Sequence, residues 1–312
     1  MQPSPGQSPT ILVTGGSGFL GGYLVQQATR NGWSVVATYN QNRPDFPNVS
    51  WQQLDLLRHL KIKKLIFAVR PQIIIHTAAL TNVDFCETHR SLTEQVNVQA
   101  SVELAYASAQ IGARFINVST DLVFDGMRPP YSEEDPPNPV SHYGWSKWQG
   151  ELAVAKSNPE AVIARTAIMY GPPAILGSSF SEWIRSSWIM RQPTRLFTDQ
   201  YRTPIFAGDL ASAILELAQS SFTGIVHLAG PERIDRYQFG IYLAKQLSVS
   251  TALLQPAALS QIALVGKRPA DVSLRIDLAT RLLKTKLHNC HRGIRLAYPG
   301  NQSRKCKQKG SH

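Results

Sequence analysis

The chain has 312 residues, 43% of them apolar and 17% charged, with a formal net charge of +11 at neutral pH. That length exceeds a typical single domain and the composition is too apolar for a disordered chain, so a sizeable core is available in one elaborated domain or two joined ones. The charge alone suggests nucleic acid. However, nine Lys and Arg residues and no acid follow from Arg281 onward, leaving 23 bases against 21 acids, a net of +2, for residues 1–280. A nearly neutral body with a basic tail argues against a nucleic-acid-binding surface. Cys86, Cys290 and Cys306 are odd in number and lack zinc-ligand spacing, which predicts a reducing, cytoplasmic setting, and no metal-ligand cluster with recognisable spacing appears, so no metal-binding residues are assigned. The opening MQPSPGQSPT has neither basic residues nor an apolar core, and no later apolar run approaches about 18 residues, so neither a secretory leader nor a membrane span is expected.

In chain order, short β-branched runs alternate with helical patterns. TILVTG at 10–15 reads as a strand, followed by a helix with Leu20, Leu24 and Ala28 on one face, ended by Gly32, and then the strand SVVATY at 34–39. Further strands are expected at Gln72–His76 and Arg114–Val118, separated by a helical stretch over 92–112. These runs are continuously apolar, as in a buried parallel sheet, and the predicted class is α/β with a doubly wound, Rossmann-like parallel sheet. Prolines at 129–139 and 172–173 mark loops. Beyond them the alternation weakens, although 209–221 reads as a helix and 224–230 as a strand that rejoins the sheet. The division expected is a nucleotide-binding unit over 1–170 with segments near 205–230, an interleaved smaller lobe over 171–286, and a basic, flexible tail over 287–312.

TGGSGFLGG, Thr14 to Gly22, follows the first strand and opens the first helix. Gly15, Gly18 and Gly21 fit G-x-x-G-x-x-G, a variant of the dinucleotide fingerprint, in which glycines permit a tight turn and close approach of backbone to pyrophosphate. Phe19 and Leu20 then lie at the helix N-terminus, whose unpaired amides suit phosphates. The second strand ends in Thr38, Tyr39 and Asn40, with no acid for a ribose 2′-hydroxyl. Two readings of Arg43 stay open, a partner for a 2′-phosphate or a solvated loop residue. Asp55 is either an acceptor for the adenine amine or a loop carboxylate.

YGWSK sets Tyr143 and Lys147 four residues apart, on one face of a helix. A phenol titrates near pH 10, and a neighbouring ammonium favours its ionised form. The strand at 114–118 runs into Ser119 and Thr120, hydroxyls suited to hold a carbonyl oxygen beside the tyrosine. Together with the glycine turn these residues form a hydride-transfer site.

The ordered series TGGSGFLG, HTAALTNVDFCE, VNV, STDLVFDG, YGWSK, RTAIMYG, DQYRTPIFAGDLA and RPADVSL resembles the extended short-chain dehydrogenases/reductases, and within them the dTDP-4-dehydrorhamnose reductases, over roughly residues 10–280. The resemblance implies that Thr120 is the catalytic hydroxyl with Ser119 beside it on the substrate, that Tyr143 is the proton donor and that Lys147 activates it. It implies that Ala78 and Ala79 pass close to the cofactor, that Asn97 stands behind the site, and that Arg202 and Arg268 bind the substrate diphosphate. Departures are His76-Thr77 in place of Asn-Ala, the large Trp145 between Tyr143 and Lys147, and the basic tail. His76 reads as either a cofactor contact or a packed strand-end residue. His142 has no assigned role, and Cys86, Trp183 and Trp188 read as packing.

The resemblance therefore implies an NADPH-dependent reductase of a nucleotide-linked 4-keto-6-deoxy sugar, with NADH usable. Its expected partners are that substrate and a second copy of the chain, with no membrane and no nucleic acid. Two alternatives stand beside it: a nucleotide-sugar epimerase or dehydratase holding NAD tightly, and a non-catalytic regulatory subunit like the methionine adenosyltransferase β subunit. The clustered Arg304, Lys305, Lys307 and Lys309 read as a solvated tail or an anion-binding one.

Overall fold

Ile11, Leu12 and Val13 are wholly buried, as a central parallel strand with helices on both faces requires. The computed structural model describes residues 9–299. Its main sheet is built from β1 (Thr10–Thr14), β2 (Ser34–Tyr39), β3 (Ser50–Gln53), β4 (Ile73–His76), β5 (Arg114–Thr120), β6 (Val162–Thr166) and β7 (Gly224–Leu228). Strands lie side by side in the order β3-β2-β1-β4-β5-β6-β7, every neighbour parallel. The chain winds outward in one direction from β1 and in the other from β4, so the crevice beyond the carboxyl ends of these two strands is the topological switch point, where ligands bind in open α/β sheets.

The principal helices in chain order are α1 (Phe19–Arg30), α2 (His59–Val69), α3 (Ala100–Gln110), α4 (His142–Ser157), α5 (Phe180–Ile189), α6 (Ala207–Ala218), α7 (Arg236–Leu247) and α8 (Cys290–Ala297). Helices α1 and α6 pack on one face of the sheet, with Leu20, Leu24 and Ala28 buried beside Leu210 and Ile214. Helices α2, α3 and α4 cover the other, around Ile62, Ile66, Leu104 and Val154. As predicted, Gly32 ends the first βα unit in the left-handed region, at φ +77°. The strand expected to stop at Val118 continues to Thr120, which brings Ser119 and Thr120 onto the sheet end. The helical stretch over 92–112 is broken by a π turn at Gln95–Gln99, a local expansion frequent at functional sites. β7 pairs with β6 and extends the sheet.

A second core encloses Tyr170, Ile184, Trp188, Leu196, Phe239 and Ile294, with a short parallel pair formed by Thr194–Phe197 and Leu254–Ala257. The expectation of a frayed tail from residue 287 fails over Cys290–Ala297. There Asn289 caps α8 by accepting from the Arg292 amide, and Cys290, Gly293, Ile294 and Ala297 are buried at helical spacing. That apolar stripe is short and interspersed with basic residues, which hid it. The tail residues Arg304, Lys305, Lys307 and Lys309 lie outside the described residues. Among those described, no helix is long and apolar enough to cross a membrane, and no cluster of His, Cys, Asp or Glu is arranged to hold a metal.

Candidate active site

At the switch point a cavity of about 1090 Å3 runs from the turn after β1 to α5 and α7. Its first end is made by backbone. After Thr14 the chain reverses through Gly15 at φ +74°, and the Gly18 amide donates to the Gly15 carbonyl at 2.8 Å. The Thr38 hydroxyl accepts from the Gly15 amide at 3.0 Å and so fixes the turn to β2. A Cβ on Gly15 would come within 2.8 Å of the Ala78 amide, and one on Gly21 would run into the Gly15 carbonyl oxygen. No side chain caps the start of α1, which leaves its first amides available to phosphate oxygens.

Gly15, Gly18, Phe19, Leu20 and Gly21 line the cavity, as do Ala78 and Ala79. Asp55 also borders it, although one carboxylate oxygen accepts from the Leu57 amide at 3.0 Å. Arg43 does not join them: it sits exposed in the loop after β2, away from the cavity lining.

The catalytic wall comes from α4 lying against the end of β5. Ser141 caps the helix by accepting from the Gly144 amide at 3.2 Å. Three helix residues at successive turns then grip three consecutive strand residues. Tyr143 faces Thr120, whose hydroxyl donates to Asp121 Oδ1 at 3.1 Å and accepts from the Leu122 amide at 3.2 Å; Lys147 Nζ donates to the Val118 carbonyl at 2.8 Å; Glu151 accepts from the Ser119 hydroxyl. Glu151 is also paired with Arg165, whose Nε lies 3.1 Å from both carboxylate oxygens and whose Nη2 lies 2.8 Å from one. Ser119 and Arg165 are partners in the β5–β6 register, so one buried carboxylate ties two strands and the helix together. Ser119, expected on the substrate, borders the cavity but commits its hydroxyl to Glu151.

Burial pushes the Tyr143 phenol well above its usual range, with the Thr120 hydroxyl acting in the opposite sense. Burial pushes the Lys147 ammonium down to about 8, with Glu151 opposing the shift. The expectation that Lys147 lowers the tyrosine pKa is therefore not met by this geometry. Removing a phenol from water disfavours its charged form, and this effect outweighs the neighbours.

His76 is packed away from the cavity, its ring nitrogens 2.7 Å from Thr14 Oγ1 and 3.0 Å from Ser101 Oγ. Burial, then the Lys147 charge, push it down to about 3, so it is neutral. Asn97, in the π turn, accepts from the Leu80 amide at 2.9 Å and donates to Ser146 Oγ at 3.0 Å, locking the loop after β4 to α4. His142 stacks on Trp145, and Cys86 is buried beside Tyr143.

The far end of the cavity holds Asp121, Gln200, Arg202, Arg236 and Arg268, with Phe180 and Trp183 on α5. Arg202 is buried, with its guanidinium donating to the carbonyls of Tyr201 and Pro269 and its Nε 3.7 Å from Asp121. Arg268 lies 3.2 Å from Asp84. Trp183, expected as packing, is 48% exposed and borders the cavity, whereas Trp188 is buried. Sequence reasoning did not single out Asp121, Gln200 or Arg236. Asp121 had a signal, as the neighbour of Thr120, and so had Gln200, two residues before Arg202 in DQYRTPIFAGDLA; Arg236 had none, because only the tertiary fold brings it here.

A doubly wound sheet with a glycine turn at its switch point, and a hydroxyl, phenol and ammonium on one wall of the crevice, defines an extended short-chain dehydrogenase/reductase. The model of the RmlD substrate binding domain matches residues 9–299, and the chain belongs to that family. It is 32% identical over 272 residues to methionine adenosyltransferase 2 subunit beta of Bos taurus, covering 85% of this chain and 79% of the relative. It is also 32% identical over 269 residues to the probable low-salt glycan biosynthesis reductase Agl14 of Haloferax volcanii, covering 85% and 89%. Among solved structures, a hypothetical dTDP-4-dehydrorhamnose reductase from Sulfolobus tokodaii superposes with a TM-score of 0.80 at 31% identity, covering 90% of this chain and 97% of that one.

Proposed function

We propose that this chain is an NADPH-dependent reductase that delivers hydride to the C4 ketone of a nucleotide-linked 4-keto-6-deoxy sugar. The observation that carries the reading is the Thr120–Tyr143–Lys147 wall, set in one cavity with the glycine turn. The cradle fits a dinucleotide, since Gly15 and Gly21 stand where a Cβ would strike backbone and the α1 amides have no side-chain cap. When bound, NADPH supplies the hydride.

The residues of the chain do the rest. Thr120 and Tyr143 orient the carbonyl oxygen. A phenol whose pKa is raised keeps its proton at neutral pH and gives it up only as charge develops on that oxygen. Lys147, with its pKa near 8, is largely an ammonium at pH 7 and stabilises the phenolate left behind. NADPH is favoured over NADH because Thr38, Tyr39 and Asn40 offer no carboxylate for the ribose 2′-hydroxyl. The two buried free thiols, Cys86 and Cys290, are consistent with a cytoplasmic setting. We read 9–170 with 205–230 as the nucleotide-binding unit and the remainder as the substrate lobe, with a homodimer as the working form.

The test follows NADPH absorbance while the protein is offered dTDP-4-dehydrorhamnose. Oxidation reduced about 100- to 10,000-fold in Tyr143→Phe is expected; near-wild-type turnover in that variant would remove the acid role. The 32% identity to an adenosyltransferase β subunit supports a second reading, a regulatory subunit. NADPH binding without turnover, together with co-purification with a synthetase, would put that reading first.

A further inference from the structure

We propose that Arg236 is the residue that holds the substrate diphosphate, with Arg202 forming the wall that positions it. This rests on the reductase reading for the class of substrate. Four arginines border the cavity: Arg195 is exposed, Arg202 has spent its guanidinium on the Tyr201 and Pro269 carbonyls and faces Asp121, and Arg268 is paired with Asp84. Arg236 is different. Among the described residues no carboxylate lies within ion-pair distance of it, and its buried Nη1 has no hydrogen-bond partner. A buried guanidinium edge without a partner is costly, and an anion that accepts from it removes that cost.

Its geometry is fixed. Asp235 caps α7 by accepting from the Gln238 amide at 2.8 Å, which sets Arg236 at the first helical position. Gln200 accepts from Arg236 Nε at 2.9 Å, and the guanidinium lies 4.7 Å from the Phe180 ring centroid. The planar fork is thus held in one orientation, the arrangement that gives bidentate recognition of phosphoryl oxygens. Burial and the neighbouring Arg202 charge work against Arg236, whereas Asp121 works for it. Arginine keeps its proton in such surroundings, so the local excess of positive charge persists.

Neighbours on either side fit the same occupant. On one side Asp121 links Arg202 to Thr120 of the catalytic wall. On the other side Phe180 stacks near Trp183, with ring centroids 6.0 Å apart, a flat apolar surface suited to a nucleobase. Arg236 lies between the two, where the diphosphate of a nucleoside-diphosphate sugar falls.

Binding of dTDP and of inorganic pyrophosphate to wild type, Arg236→Gln and Arg236→Lys is measured by calorimetry, with NADPH affinity and thermal melting as controls. Expected is a loss of about 10- to 100-fold in dTDP affinity for Arg236→Gln, partial recovery in Arg236→Lys and unchanged NADPH affinity. If Arg236→Gln does not fold, a loss of several-fold in Arg236→Lys still supports the assignment, and wild-type affinity in it overturns it. If wild type binds dTDP and Arg236→Gln binds it within twofold, Arg236 is not the holder although the nucleotide-sugar reading stands. If wild type binds neither probe, both fall.

Discussion

Glu151→Ala is the most informative single perturbation of the catalytic wall. Glu151 is 2% exposed, and its carboxylate accepts from Ser119, Arg165 Nε and Arg165 Nη2. Truncation leaves the Arg165 guanidinium, also 2% exposed, buried without its counter-charge and the Ser119 hydroxyl without its acceptor. Breaking a buried pair from one side costs about 3–5 kcal/mol. At roughly 1.5 °C per kcal/mol for a chain of 312 residues, the melting temperature should fall by about 4–8 °C. Two companions sharpen the test. Glu151→Gln keeps shape and an acceptor for Ser119 and should lose less, and the double substitution Glu151→Leu with Arg165→Met should be more stable than Glu151→Ala alone, because no charge is stranded. The assay is thermal melting with NADPH binding as the control for an intact glycine turn. A melting temperature within about 1 °C of wild type for Glu151→Ala would refute the claim that this carboxylate staples α4 to β5 and β6.

Other perturbations test other parts of the site. Lys147 has its pKa pushed from 10.5 down to about 8 in the folded chain, so the unfolded chain holds more protons between those values and stability rises with pH there. Stability contributed by this shift is present above about 10.5 and lost as pH falls through about 8, to a total of roughly 3 kcal/mol; Lys147→Met should flatten that dependence in denaturant melts. Activity runs the other way, since loss of the ammonium above about pH 8 should lower kcat/KM, and a profile flat from pH 7 to 10 would exclude a charged Lys147 from the reaction. Gly21→Ala places a methyl against the Gly15 carbonyl oxygen and should abolish NADPH binding, read by fluorescence titration, while leaving dTDP binding within a few-fold.

Local patterns made much of this structure legible. The apolar run before Gly15 predicted β1, and the Tyr143–Lys147 spacing put both residues on one face of α4. β3 and α2 escaped notice. Ser50–Gln53 is four residues with only Trp51 buried, and α2 buries only Ile62 and Ile66 among lysines, so neither shows a strong period. The site was legible where one segment supplied it: the glycine turn, Thr120, Tyr143 and Lys147 all line the cavity. It was not legible where long-range packing decided. Arg202 lies in a motif and lines the cavity, yet backbone carbonyls occupy its guanidinium, while Arg236, in no motif, presents an unpartnered edge. Ser119 shows the same limit, because only the β5–β6 register and α4 reveal that its hydroxyl belongs to Glu151.

Hydride transfer from NADPH to the sugar is followed with NADPH deuterated at C4 of the nicotinamide ring and dTDP-4-dehydrorhamnose, with the product analysed by mass spectrometry. One deuterium at C4 of the sugar product is expected from wild type and only a trace from Tyr143→Phe. A wild-type protein that binds both molecules and returns the keto sugar unlabelled would contradict that transfer.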